Sequence, residues 1–241
     1  MLRLFKKDKI KFYCSLPEVK EKYPIVQSKD INFKWFRKSA LAYKEKSKET
    51  LSVSGTAKCP GIHNITSEGY ILRSWFDMSI KTTDDPNNFR FLVPPQIQYY
   101  LREKNFNKDL IKWFSGDDPS MSIPLPDHSL KTLIKITMPW AVYIPKNWSL
   151  LIMPIPYPDE PEFTCTHGIL PSGNFHEIHP IISWHKKQGE LLIKAGTPLC
   201  QLIPIYNKKI DVDVLDYDDF ARKEEAKWAF NMSHTFKRIY D

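Results

Sequence analysis

Glycine is scarce in this chain: 241 residues contain eight, against nineteen prolines. So few glycines leave little room for a phosphate-cradling loop, and no P-loop, Gly-x-Gly-x-x-Gly or Gly-x-Ser-x-Gly pattern occurs. Nothing supports a Ser or Cys catalytic triad. No run reaches eighteen apolar residues, which excludes a membrane-spanning helix. The opening Met-Leu-Arg-Leu-Phe-Lys-Lys-Asp-Lys lacks the apolar region of a signal peptide. Cys14, Cys59, Cys165 and Cys200 are widely spaced and form no C-x-x-C pair, so no disulfide framework is expected. These absences predict a soluble, cytoplasmic protein without a membrane partner. The richness in Lys, Ile and Asn would suit an AT-rich phage genome and hence a host cytoplasm.

Proline favours extended segments and turns and is excluded from helix interiors and central strands. Nineteen of them predict a β-rich body with stiff connections. An apolar content of 42%, with seven Trp and fourteen Phe, is enough to fill a core and argues against disorder of the whole chain. The net charge of +7 is unevenly spread. Residues 1–50 hold 14 Lys or Arg and 6 Asp or Glu, so the excess positive charge sits there. Twelve of those fourteen are Lys, which fits a solvated face. The alternative is a nucleic-acid contact through Lys34, Arg37, Lys38 and Lys44.

Periodicity predicts a short strand at 9–14 and a helix from Asp30 to Lys48 with an aromatic stripe of Phe33, Phe36 and Tyr43. A short helix opens at Cys59-Pro-Gly and ends near Gly69. A strand follows from Tyr70 to Lys81, then Phe89 to Val93 closes a hairpin, and Pro94-Pro95 starts a helix. From Leu130 onward strands and turns alternate: 131–137, 140–144, 149–153, 163–170, 175–185, 190–205 with a tight turn at Ala195-Gly196, and 210–215. Asp218 or Asp219 caps a closing helix at 220–240. Residues 211–219 hold five aspartates, which read as a solvated turn and cap. The expected organisation is one domain: a basic, partly helical region at 1–58, a β-rich core at 59–215, and a C-terminal helix at 216–241.

The segment 140–206 carries an ordered series: Val142-Tyr-Ile-Pro145, Leu150-Leu-Ile-Met-Pro154, Gly168-Ile-Leu, the strand 175–184, Ile193-Lys-Ala-Gly196 and Gln201-Leu-Ile. In this order it resembles the β-clip modules of the dUTPase and dCTP deaminase group. Through Cys59-Pro-Gly, the strand at 70–80 and Gly196-Thr-Pro-Leu-Cys it also resembles a family of uncharacterised phage and bacterial proteins. The first resemblance implies a mainly β fold, with a β-clip or jelly-roll-like core, and often a trimer in which a C-terminal segment reaches a neighbour. Trp228 and Phe230 are the expected interface residues. The resemblance also implies a water-activating aspartate where this chain has Pro171, which has no group to take a proton. The expected phosphate-holding Ser-Gly after Pro154 reads Ile-Pro-Tyr-Pro-Asp-Glu, leaving Asp159 or Glu160 for Mg²⁺. A deaminase-type base would have to be Glu177 or Glu190.

Cys165, His167, His176, Glu177, His179 and His185 lie close together in sequence. Imidazole with carboxylate suits Fe or Zn, so His176, His179 and His185 are the candidate ligands of a jelly-roll oxygenase. In that reading Leu199 stands where a further histidine is wanted. The favoured expectation is a non-catalytic, oligomeric binding or interaction protein with no cofactor. A nucleotide hydrolase, a metal-dependent oxygenase and a nucleic-acid binder are the alternatives.

Overall fold

The protein is described by a computed structural model covering residues 8–31, 34–49, 59–83, 89–115, 118, 123–125, 127, 129–158, 162–185 and 188–228. Two compact units divide the chain: Met1–Ile31 with Thr66–Asn207, and Asn32–Ile65 with Lys208–Asp241. The described residues are mainly β, with fifteen strands. All of the strand pairings are antiparallel.

The larger unit opens with β1 (Lys11–Cys14), whose exposed and half-buried side chains alternate. Pro17 begins α1 (Pro17–Lys22), where its missing N–H costs nothing. A short β2 (Val26–Gln27) follows. In the other unit α2 (Lys34–Glu49) precedes the first six residues of α3 (Pro60–Ser67), and the Phe36 ring meets the His63 ring at 6.1 Å. Phe33 lies outside the described residues.

The elements from β3 to β15 belong to the larger unit: β3 (Tyr70–Arg73), β4 (Met78–Thr82), β5 (Phe89–Leu92), α4 (Pro95–Glu103), β6 (Ile111–Ser115), β7 (Thr132–Ile136), β8 (Trp140–Tyr143) and β9 (Trp148–Met153). Then come β10 (Phe163–Cys165), β11 (Gly168–Leu170), β12 (Phe175–Glu177), β13 (Ile181–Trp184), β14 (Gly189–Ile193) and β15 (Pro198–Tyr206). They form four sheets, in the orders β1-β8-β12, β10-β13-β7-β6, β11-β9-β15-β3-β2 and β14-β4-β5.

Several predicted strands break where the chain passes from one sheet to another. The single strand expected at 70–81 splits at Ser74–Asp77, so that β3 pairs with β15 while β4 pairs with β14. Segment 70–82 therefore runs as one bent ribbon against 189–206. Its corner is held by Ser74 N–H to Thr197 O (2.8 Å), Gly196 N–H to Ser74 O (2.7 Å) and Ala195 N–H to the Asp77 carboxylate (2.7 Å). The predicted turn at Ala195-Gly196 is present, with Gly196 at φ +90°, yet β14 and β15 do not pair with each other. The hairpin expected over 70–93 is confined to β4 and β5.

A second bent ribbon joins 132–143 to 175–184: β7 pairs with β13 and β8 with β12. Pro139 and Pro180 sit at its corner, where their missing N–H groups interrupt the ladder. The strands predicted as 163–170 and 175–185 split in the same manner. The two corners are tied together, because Trp75 Nε1–H donates to Thr137 O at 3.1 Å in the interior. Around them Ile71, Leu72, Ile80, Ile134, Ile182 and Trp184 are fully buried. Each such side chain contributes about 1.5–3 kcal/mol through removal from water.

The strand expected at 210–215 is not formed. Ile210 to Leu215 join no ladder among the described residues, and their side chains are exposed. Alternation alone is insufficient, because a strand is stabilised by its cross-strand neighbours. A helix spans 219–228, and Asp218 is its cap, its carboxylate accepting from Ala221 N–H at 2.9 Å.

Gly69 ends α3 at φ +73°, and a Cβ there would lie 2.3 Å from the carbonyl oxygen of Leu202. Gly173 has φ +81° and open space around it. Gly173→Ala is therefore expected to cost about 1 kcal/mol of backbone strain alone. Gly69→Ala should cost at least twice that, because β3 must also move away from β15. Urea unfolding midpoints of the two variants check this ordering.

Candidate functional site

An open groove of about 770 Å³ lies between β5, α4 and β6 in the larger unit. Its construction follows from local sequence. Pro95 starts α4, and Asn105 ends it at φ 53°, a left-handed value that asparagine tolerates. Phe106 N–H then bonds Leu101 O (2.9 Å) and Asn105 N–H bonds Arg102 O (3.1 Å), the paired closure of a Schellman motif. This turn brings Phe106 and Lys108 into the groove. The loop is fastened to the second corner, since Thr137 N–H donates to Leu110 O (2.8 Å) and Thr137 Oγ1–H to Asp109 O (2.5 Å).

Strands β5 and β6 are each the last strand of their sheet, so one backbone edge of each makes no ladder bonds among the described residues. An aromatic cluster joins them. Phe89 lies 5.1 Å from Phe91, and Trp113 lies 6.1 and 6.0 Å from these two rings. Trp113 is 59% exposed, unusual for a ring with two aromatic neighbours. Arg102, Lys108 and Lys112 line the groove against a single carboxylate, Asp109. Lys112 faces Lys135 directly across the β6–β7 ladder, and Arg90 faces Lys81 across β4–β5. Like charges placed opposite each other destabilise a sheet slightly. Asp109, 3.6 Å from Lys112, offsets part of this.

One rim of the groove continues into a polar chain. Lys108 donates to the Glu177 carboxylate, and His179 Nε2–H donates to the same carboxylate at 2.9 Å. His179 Nδ1 accepts the Met138 N–H at 3.2 Å, which fixes the tautomer. Both ring nitrogens are thus engaged, and His179 pins the second corner. The lysine hydrogen bond, helped by His179, holds Glu177 down at about 2. Burial pushes His179 below its ordinary 6.5; Lys135 and Lys108 act in the same direction, and Glu177 opposes them.

The other two candidate ligands point elsewhere. His176 Nε2 meets Pro171 O at 3.1 Å, and His185 lies between the Ser129 and Thr164 hydroxyls, at 2.8 and 2.6 Å. Among the described residues no three His, Cys, Asp or Glu side chains are grouped so as to hold a metal ion. Leu199 is buried, and Glu190 accepts from the Ser79 hydroxyl. Asp159 and Glu160 lie outside the described residues. In the other unit Lys34, Arg37, Lys38 and Lys44 fall at helical spacing on one exposed side of α2. Trp228 is 60% exposed, and Phe230 lies outside the described residues. The groove itself was missed by sequence reasoning. The only signal for it was the run Lys112-Trp-Phe-Ser beyond the α4 pattern.

The sequence matches no protein-family model and no curated protein.

The His179 arrangement has a signed pH consequence. A histidine held below 6.5 in the folded state favours folding above that value, because the unfolded chain then gains a proton first as pH falls. Stability should drop on acidification from pH 7 towards 5, and again below the ordinary carboxylate value of 4.5 as Glu177 is protonated towards about 2. His179→Gln should flatten the first of these falls and leave the second largely in place. Thermal melting across that pH range measures both.

Proposed function

We propose that this is a non-catalytic interaction protein whose working surface is the groove between β5 and β6, and that the groove takes an extended acidic segment of a partner chain. The observation that carries this reading is the juxtaposition of the outer edges of two sheets with an exposed aromatic cluster and a cationic rim. A strand added to an edge gains main-chain hydrogen bonds, while alternate side chains find pockets of their own. An acidic strand beside β6 would set carboxylates in line with Lys112 and Lys135 and apolar side chains in line with Trp113. The resemblance to β-clip modules supports the same reading, since the position of their water-activating carboxylate is held by Pro171, whose carbonyl bonds His176.

Single-stranded nucleic acid is the rival occupant, because exposed rings can stack on bases. Two features favour a peptide. The rings pack against one another rather than standing apart as platforms, and Lys108 and Lys112 already have carboxylate partners, so the unpaired positive charge is modest. A nucleic acid would also leave the backbone edges of β5 and β6 unused.

A fluorescently labelled peptide of alternating Val and Glu is the test. It should bind with an affinity that falls as salt rises. Trp113→Ala, and separately Arg102→Glu with Lys112→Glu, should each weaken binding by about tenfold, or ~1.4 kcal/mol. No salt-sensitive binding of the peptide, or tight binding of an oligothymidylate in its place, overturns the reading.

A further inference from the structure

The chain itself contains a segment with the required chemistry. Ile210-Asp-Val-Asp-Val-Leu-Asp216 alternates apolar and acidic residues over its first five positions, then carries Leu215 and Asp216. It joins no sheet among the described residues. Its apolar side chains stand in solvent, with Val212 at 82% and Val214 at 96% exposure. Asp211, Asp213 and Asp216 make no ion pair among the described residues. An alternating β-branched run that joins no ladder and stands in water has the pattern of a strand lacking a neighbour.

We propose that residues 210–216 of one copy add as a strand to the outer edge of β6 in a second copy, so that the protein assembles with itself through the groove. This rests on the reading of the groove as a site for an acidic strand. The match is one of register as well as charge. In β6, Ile111, Trp113 and Ser115 share one face, and Lys112 and Phe114 share the other. With the valines on the Trp113 face, the aspartates fall on the Lys112 face and extend the row Lys135–Lys112 with a carboxylate. The unfavourable cation pair thereby becomes part of an alternating row. The lengths are compatible: Ser115 O already accepts the Asp118 N–H at 3.3 Å, which leaves the edge of Ile111–Phe114, and the five-residue alternating run 210–214 is long enough to span it. The valines would cover the exposed side of Trp113, which no described residue covers.

The test uses the full chain and a charge exchange. Native protein should sediment or elute as an oligomer at micromolar concentration, and salt should dissociate it. A tail variant, Asp211→Lys with Asp213→Lys, and a groove variant, Arg102→Glu with Lys112→Glu, should each associate at least about tenfold more weakly. Mixed together, the two variants should recover a hetero-oligomer, since the reversed charges then face each other, and that recovery also shows that both are folded. A native mass equal to one chain overturns the proposal, as does a mixture that stays dissociated or a tail variant that assembles as the native chain does. If the alternating peptide binds while the chain remains monomeric, the groove reading stands and the self-assembly falls. If the peptide also fails to bind, both fall.

Discussion

A strand that leaves one sheet for another must still satisfy its backbone polar groups, and the corner at Ser74–Asp77 meets this requirement with groups from 194–197. Ser74 gives its N–H to Thr197 and takes the N–H of Gly196, its hydroxyl donates to Phe76 O at 2.7 Å, and Asp77 takes the N–H of Ala195. Each buried group left unpaired would cost about 1–3 kcal/mol. The corner matters beyond itself because Trp75 reaches from it to Thr137, and Thr137 in turn holds Asp109 and Leu110. The position of the groove loop is therefore set by a chain of hydrogen bonds starting at a bend in a different sheet. Gly196 is needed there for its positive φ, one of the few places where a chain with so little glycine uses it.

Much of the fold was legible in local pattern. The alternation of 132–136, the Pro95 helix start, the turn at Gly196 and the Asp218 cap depend on nearest neighbours along the chain, and the sequence predicts them where the structure has them. The sheet switches were not legible. Tyr70 to Lys81 continues its strand-like composition straight through the break, because the break is imposed by Thr137 and Thr197, far away in sequence. Residues 210–215 show the converse error. Their alternation is better than that of several real strands, yet the described part of the chain provides no ladder for them.

The candidate site divides along the same line. The histidines cluster in sequence, but topology separates them: His176 lies in β12, His179 at a corner and His185 just past β13, in two different sheets. Spacing within a segment cannot reveal such a separation when the segment changes sheets midway. The groove, conversely, is assembled from Phe91, Arg102 and Trp113, contributed by two strands and a helix. Each of these residues is unremarkable alone, and only the adjacency of two sheet edges makes them a surface.

The lysines of this surface have a second meaning that sharpens the functional reading. Lysine on an edge strand is a common defence against unwanted pairing, because an incoming strand must tolerate a charge in its cross-strand position. That defence is selective. A basic or neutral strand placed beside β6 meets Lys112 backed by Lys135 and gains nothing to offset their repulsion. An acidic strand meets the same row and relieves it. The penalty for two like charges in register is small, and Asp109 offsets part of it, so the fold can carry it without an added strand. The same row that keeps arbitrary strands off the edge is therefore the feature that admits a carboxylate-bearing one, and protection and recognition become a single arrangement of charge.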